Sequence, residues 1–267
     1  MNNTEKDKMI KIINKIHQKK PLIHHITNIV VSNITANLTL ALGALPIMAI
    51  AREEVAEIAE ATDVLLVNIG TITKEVMESI LIAGLYAKEK NKKIILDPVG
   101  AGATSFRTEA SLKIMETVQP DIVKGNFAEM LAISGKKAWI KGVESLDNDT
   151  EKMEDSLKSI ALRYNCIAAA TSETDILSNG KTTKKLAGGH PLLKYVTGTG
   201  CMATTAIACF MAIENPFDAT YHGLKLMKSS DTIKNVSGPV EFQNTLIDTI
   251  FQLSKIDVAD SGFIQNS

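Results

Sequence analysis

The arrangement of apolar runs constrains this chain most. Short, nearly uninterrupted apolar segments at 64–67 (VLLV), 94–97 (IILD), 121–123 (DIV) and 166–170 (CIAAA) alternate with longer stretches of helical pattern at about 74–90, 105–118, from 127 onward, and 151–164. A strand that is apolar on both faces is buried on both. A series of such strands joined by helices specifies a parallel sheet covered above and below. The pattern changes after 170. Residues 175–178 (DILS), then Asn179 and Gly180, then 181–184 (KTTK) predict an antiparallel hairpin closed by a type I′ turn. From Gly200 nearly to the end the chain reads as helix. The expected fold is α/β, with a mostly parallel central sheet between two helical layers.

Composition sets the bounds. The 267 residues are 45% hydrophobic, enough for one large core, and no linker, repeat or low-complexity tract divides them. A single domain over 1–267 is expected. With 29 basic and 30 acidic residues, net charge −1, the chain lacks the basic excess of a nucleic-acid binder. The longest apolar region, 29–51, is interrupted by Asn33, Thr35, Asn37, Gly43 and Pro46, which argues against a membrane span. The first eight residues are polar, with no signal-peptide core. Three cysteines without a C-x-x-C pair argue against a disulfide framework or a zinc site. A cytoplasmic protein with neither nucleic acid nor membrane as partner is expected.

In parallel sheets, ligands gather at the carboxyl ends of the strands. The unusual residues fall there: Asn68-Ile69-Gly70-Thr71, Asp97-Pro98-Val99-Gly100, Lys124-Gly125-Asn126 and Thr171. Residues 196–201 (VTGTGC) open an apolar helix, and a glycine-led helix N-terminus offers free N–H groups to an anion, here a phosphoryl group in transfer. Cys201 at that helix start is expected to have a lowered pKa; otherwise it is a small core residue. Asp97 beside a glycine turn can hold Mg²⁺, or simply belong to a strand–helix turn. Lys124, Asn126 and Glu129 can converge on a polyphosphate and its metal, or Asn126 and Glu129 can form a capping box. His24 and His25 are adjacent on a strand and point opposite ways, so they cannot share an ion and read as a polar pocket wall with Asn28. Gly180-Lys181-Thr182 imitates the end of a phosphate-binding loop, but the glycine required five positions earlier is Asp175.

In order along the chain, HITN (25–28), NLTLALGALPIMA (37–49), NIGT (68–71), DPVGAGATSFRT (97–108), KGN with Glu129, and VTGTGC (196–201) resemble the hydroxyethylthiazole kinase family. That family is a branch of the ribokinase-like enzymes, in which a Cys replaces the usual Asp at position 201. The resemblance implies a ribokinase-like three-layer α/β/α fold and transfer of phosphate from ATP, with Mg²⁺, to the primary hydroxyl of 4-methyl-5-(2-hydroxyethyl)thiazole in thiamine salvage. It also implies a homotrimer with the thiazole site between subunits. By position it assigns Lys124 and Thr171, with Asn126, to the nucleotide. It assigns Met48 and Gly198, with Asn28, to the thiazole, and Asp97 and Glu129 to Mg²⁺. Gly198, Gly200 and Cys201 fall to catalysis, with Cys201 accepting the hydroxyl proton. Two residues depart from the family pattern: Lys124 stands for the usual Arg, and Ser172 for the usual Gly. Three alternatives remain open: a kinase of another small alcohol, a nucleotide-binding module without catalysis, and an oxidoreductase suggested by the G-x-G-x-x-A string at 198–203.

Overall fold

In the computed structural model, which describes residues 3–135 and 150–253, eight strands form one sheet in the order β2-β1-β3-β4-β5-β6-β7-β8. The strands are β1 (Leu22–Ile26), β2 (Leu45–Ile47), β3 (Val64–Asn68), β4 (Lys93–Asp97), β5 (Ile122–Asn126), β6 (Ile167–Thr171), β7 (Thr174–Ser178) and β8 (Thr183–Ala187). The first six are parallel, and β7 and β8 add antiparallel at one edge. Parts of the expected 1–267 domain, residues 1–2, 136–149 and 254–267, lie outside the described residues.

The two-residue period of the strands sorts their side chains into two cores. Val64 and Leu66, Ile95, Ile122 and Ala169 face one layer; Leu65 and Val67, Ile94, Leu96, Val123, Ala168 and Ala170 face the other. The first layer holds α1 (Asn3–Lys19), α2 (Ser32–Ala41), α8 (Thr199–Met211), α9 (Pro216–Lys228) and α10 (Pro239–Gln252). The second holds α3 (Val55–Ala61), α4 (Lys74–Glu89), α5 (Ser105–Thr117), α6 (Phe127–Ile133) and α7 (Thr150–Tyr164). This is the three-layer α/β/α arrangement expected from the sequence.

Helix α8 carries the site, and every residue from 202 to 211 is buried. It is sandwiched between the sheet and α9. The approach to α9 is close enough that a Cβ on Gly223 would lie 2.7 Å from the Ile207 backbone nitrogen. Side chains at its N-terminus are thereby fixed against the strand ends. No helix among the described residues is long and apolar enough to cross a membrane.

Two sequence expectations change. The hairpin is not closed by a type I′ turn: Ser178 pairs with Thr183, which leaves 179–182 as the loop, and only Gly180 within it has positive φ. The Asn179 side-chain oxygen accepts from the backbone N–H groups of Lys181 (3.0 Å) and Thr182 (2.7 Å), so a side chain does the work of a tighter backbone turn. His24 and His25 do point to opposite faces, but neither lines a pocket; both are fully buried. A ring nitrogen of His24 bonds the Ala49 carbonyl at 2.7 Å, and His25 Nε2 meets Thr39 Oγ1 at 3.1 Å.

Candidate active site

Neighbouring parallel strands that end together bring their last residues side by side, and here those residues are polar. Asn68 and Asp97 are register partners at the ends of β3 and β4. Asn28 follows β1, and Lys124 lies in β5. Asn28 Nδ2 donates to Asn68 Oδ1 (2.8 Å), Asn68 Nδ2 to Asp97 Oδ2 (3.3 Å), and Lys124 Nζ to the same Asp97 oxygen (3.4 Å). The result is a transverse hydrogen-bonded ladder across four strands. It is buried throughout.

The N-terminus of α8 sits on this ladder. Gly198 is its N-cap, at φ +83°, and a Cβ there would come within 2.5 Å of Val31 Cγ1, so glycine is required by conformation and by space. Cys201 Sγ accepts from Asn68 Nδ2 at 3.1 Å, with Asn28 Nδ2 at 3.8 Å. The Gly200 carbonyl accepts from Lys124 Nζ (2.9 Å), and Thr204 Oγ1 donates to Asp97 Oδ2 at 2.6 Å. An electropositive helix end, a buried carboxylate and a sulfur thus meet at one place.

Lys124 is 2% exposed. Its ammonium has three hydrogens and three acceptors: Asp97 Oδ2, the Gly200 carbonyl and Thr204 Oγ1 at 3.2 Å. Burial pulls its pKa down, but the charge of Asp97, with Cys201 and Glu129 behind it, outweighs burial and holds it above the ordinary lysine value. The positive charge expected beside a nucleotide is present. Its direct bonds, however, all go to the protein.

Glu129 forms the capping box. Its Oε2 accepts from Asn126 N (2.7 Å), and Asn126 Oδ1 accepts from Glu129 N (2.9 Å). Its Oε1 accepts from Gly100 N at 2.8 Å, which ties the β5 end to the loop after Asp97. Burial raises its pKa and Asp97 adds to the rise, against the bonds from Gly100 and Asn126. Thr171 ends β6, opposite Asn126, and its hydroxyl donates to the Gly125 carbonyl at 3.2 Å. Met48 follows edge strand β2 and is half-buried.

One expectation about Cys201 is corrected. A helix N-terminus lowers a thiol's pKa, but here burial pushes it up to about 11 and Asp97 adds to the rise; Lys124 and the two asparagine amides pull back only in part. The unliganded site therefore holds a thiol.

Asp97 and Glu129 are the carboxylates at this place. Among the described residues no group of three or more His, Cys, Asp or Glu side chains could hold a metal ion. Mg²⁺ keeps waters and phosphate oxygens and needs only one or two carboxylates from the protein. Asp97 receives its three side-chain bonds on Oδ2, which leaves Oδ1 outside them. Asp97 thus keeps one oxygen for an ion arriving with a nucleotide, whereas both Glu129 oxygens already accept from backbone N–H groups.

Sequence reasoning missed two participants. Thr204 lies one turn after Gly200 on the same face of α8, and that i to i+4 spacing is the signal that could have found it. Arg107 reaches back from α5 to donate to the Gly70 carbonyl (2.7 Å) and the Val99 carbonyl (3.5 Å), joining the loops after β3 and β4. Nothing in its spacing announced that contact.

A sequence profile of the hydroxyethylthiazole kinase family matches residues 13–256. A hydroxyethylthiazole kinase from Thermoanaerobacter pseudethanolicus is 43% identical over 258 residues, covering 93% of this chain and 95% of that protein. The solved structure of a hydroxyethylthiazole kinase protein from Pyrococcus horikoshii superposes with a TM-score of 0.81 at 36% identity, covering 92% of this chain and 93% of the other. A Bacillus subtilis pyridoxal kinase, solved as an ADP complex, shares the fold at TM-score 0.61 and 16% identity, covering 78% of this chain and 90% of that one.

Proposed function

The chain belongs to the hydroxyethylthiazole kinase family, and from that premise we propose that it transfers the terminal phosphoryl group of ATP to the primary hydroxyl of 4-methyl-5-(2-hydroxyethyl)thiazole. The product is the thiazole phosphate used for thiamine diphosphate by salvage. The observation that carries the reading is the meeting of Asp97, Cys201 and the Gly198-led end of α8 on one buried ladder.

Phosphoryl transfer through a loose transition state depends mainly on position and charge neutralisation. The N–H groups of the first turn of α8, from Gly198 through Gly200 to Cys201, cradle the transferring phosphoryl. Gly198 keeps that turn open, and Lys124 braces it by holding the Gly200 carbonyl. The Lys124 charge acts on the nucleotide through space. Thr171 and Asn126, opposite each other at the ends of β6 and β5, bound the nucleotide. Asp97 and Glu129 would hold Mg²⁺, which when bound neutralises phosphate charge. Asn28, Met48 and Gly198 form the thiazole side. Cys201, a thiol at rest, holds the substrate hydroxyl by a hydrogen bond; as that oxygen bonds the phosphorus and the bond from phosphorus to ADP breaks, the hydroxyl proton passes to an oxygen of the transferred phosphoryl group.

We place the whole chain, 1–267, in one domain and the protein in the cytoplasm, acting as a homotrimer with the thiazole between subunits. Supporting the trimer, apolar side chains around the thiazole side are exposed in the single chain: Ile29 at 79% and Val30 at 64%, with Leu45 and Ile50 flanking Met48. Light scattering after size exclusion tests it, and a monomeric mass removes it.

Incubation with ATP, Mg²⁺ and the thiazole alcohol, read by product mass, tests the reaction. A phosphorylated thiazole is expected. ATP binding with no product would leave the fold standing and move the search to other small alcohols.

A further inference from the structure

Lys228, the last residue of α9, turns inward, its side chain 8% exposed. Its ammonium donates to the carbonyls of Ser172 (2.7 Å) and Glu173 (2.9 Å) and pairs with Asp175 Oδ1 at 3.1 Å. Three hydrogens meet three acceptors: two are carbonyls of the short connection between β6 and β7, directly after Thr171, and the third is Asp175, the second residue of β7. Asp175 Oδ1 also accepts from Ser172 N at 3.0 Å, and Ser172 Oγ donates to the Thr174 carbonyl at 2.8 Å. The turn is therefore fixed from outside by a cation and from inside by a carboxylate.

A tight connection between antiparallel strands does not need a buried ion pair to close. Burying an ammonium and a carboxylate is costly unless both are paired and fully bonded. Here the pair is spent on holding two backbone carbonyls in place at the strand end that meets Asn126. The same helix end also holds the segment leading toward α8. Ser230, two residues on, accepts from His190 N at 3.1 Å, and a Cβ on Gly189 would lie 3.4 Å from Lys228 Cδ. One helix terminus thus braces both the turn after Thr171 and the approach to the Gly198 entry.

We propose that Lys228, with Asp175 as its counter-ion, is a positioning residue for the adenine nucleotide: it presets the 172–174 turn so that Thr171 and the following backbone are already in the bound geometry. The inference rests on the reading that this turn holds the nucleotide. Presetting a loop removes an ordering cost from binding, so loss of the brace falls on nucleotide affinity and spares the thiazole side, which is built from other strands. Ser172, where the family usually has Gly, belongs to the same device, because its hydroxyl supplies a turn bond that glycine cannot make.

The test uses the full-length protein and its Lys228→Met and Lys228→Gln variants, each checked for a cooperative thermal transition. ATP affinity is measured by calorimetry without acceptor, and KM is measured separately for ATP and for the thiazole. The expected result is a rise of about tenfold or more in Kd and KM for ATP, with thiazole KM within about twofold. Asp175→Asn, which keeps an oxygen for Ser172 N and Lys228, is expected to show a smaller ATP defect than Lys228→Met. Unchanged ATP affinity in either folded Lys228 variant overturns the proposal, and so does an equal rise in both KM values, which would signal general loosening. Should Lys228→Met fail to fold, Lys228→Gln, with similar length and one remaining donor type, carries the comparison. Wild-type protein that binds ATP but phosphorylates no thiazole would sink the substrate assignment alone, since the calorimetric comparison stands without an acceptor. Wild-type protein that binds no ATP would sink both.

Discussion

Replacing Lys124 by Met removes a buried ammonium and leaves its partners in place. Asp97, 1% exposed, keeps Thr204 Oγ1 at 2.6 Å and Asn68 Nδ2 at 3.3 Å but loses its counter-charge. The Gly200 carbonyl loses its 2.9 Å bond from the ammonium. Breaking a buried pair from one side typically costs about 3–5 kcal/mol. Two neutral donors remain on Asp97, so the lower end applies, about 3 kcal/mol. For a domain of this size that is a fall in Tm of roughly 6–12 °C. The assay is guanidinium unfolding of the wild type, Lys124→Met, Asp97→Asn and the double variant. Asp97→Asn removes the stranded charge, so the double variant should be more stable than the sum of the two single losses by about 2 kcal/mol or more. Additive losses would refute the reasoning, since they would mean that Lys124 and Asp97 do not feel each other.

Further outcomes follow from named contacts. Gly198→Ala forces a side chain into positive φ and against Val31, so stability should fall by about 1–3 kcal/mol and turnover by roughly 100-fold as the α8 N–H groups shift; a variant within threefold of wild-type turnover would remove the cradle. Cys201→Ala should cut turnover by roughly 100-fold with ATP affinity unchanged, and Cys201→Asp should stay active; wild-type turnover in the alanine variant would exclude the cysteine from proton handling. His25 has its pKa pulled down to about 3 by burial and then by the charge of His24, and its buried Nδ1 has no partner. The unfolded chain, with the ordinary value near 6.5, binds this proton first. The contribution is therefore complete above pH 6.5 and is lost as pH falls toward 3. Between pH 7 and pH 5 the wild type should lose about 2 kcal/mol more than His25→Gln in denaturant unfolding, and equal losses would contradict the assignment.

The parts of the fold that were legible in the sequence are those where one rule decides alone. β3, β4 and β6 are apolar on both faces, and burial on both faces is the only stable use of such a segment. β1 and β2 were fainter for physical reasons. β1 carries two histidines whose burial depends on partners 14 and 25 residues away, and β2 is three residues long on the sheet edge with Pro46 at its centre. In the site, Asp97, Asn126, Glu129 and Gly198 could be named because strand ends, caps and glycine entries are local signals. Their partners are not local. Lys124 finds Gly200 and Thr204 across 76 and 80 residues, and Lys228 finds the turn after Thr171 across 55 and 56. The Cys201 pKa went the wrong way for the same reason: its helix position is local, whereas its burial and the charge of Asp97 arise only in the assembled fold.

The two lysines divide the site between them. Lys124 joins the sheet to the start of α8, where the phosphoryl group is expected to sit. Lys228 joins the end of α9 to the turn after Thr171, which we propose borders the nucleotide. Helices α8 and α9 pack closely through Gly223, so the two anchor points belong to one rigid pair. Phosphoryl transfer needs donor and acceptor in line to within fractions of an ångström, and a reaction with little covalent help from the protein gains its rate from such fixed placement. Placement of that kind cannot come from the loops themselves, which lack enough buried contact to hold one geometry. It comes from buried cations that convert loop carbonyls into parts of the core. The cost of burying those charges is why each has as many acceptors as it has hydrogens.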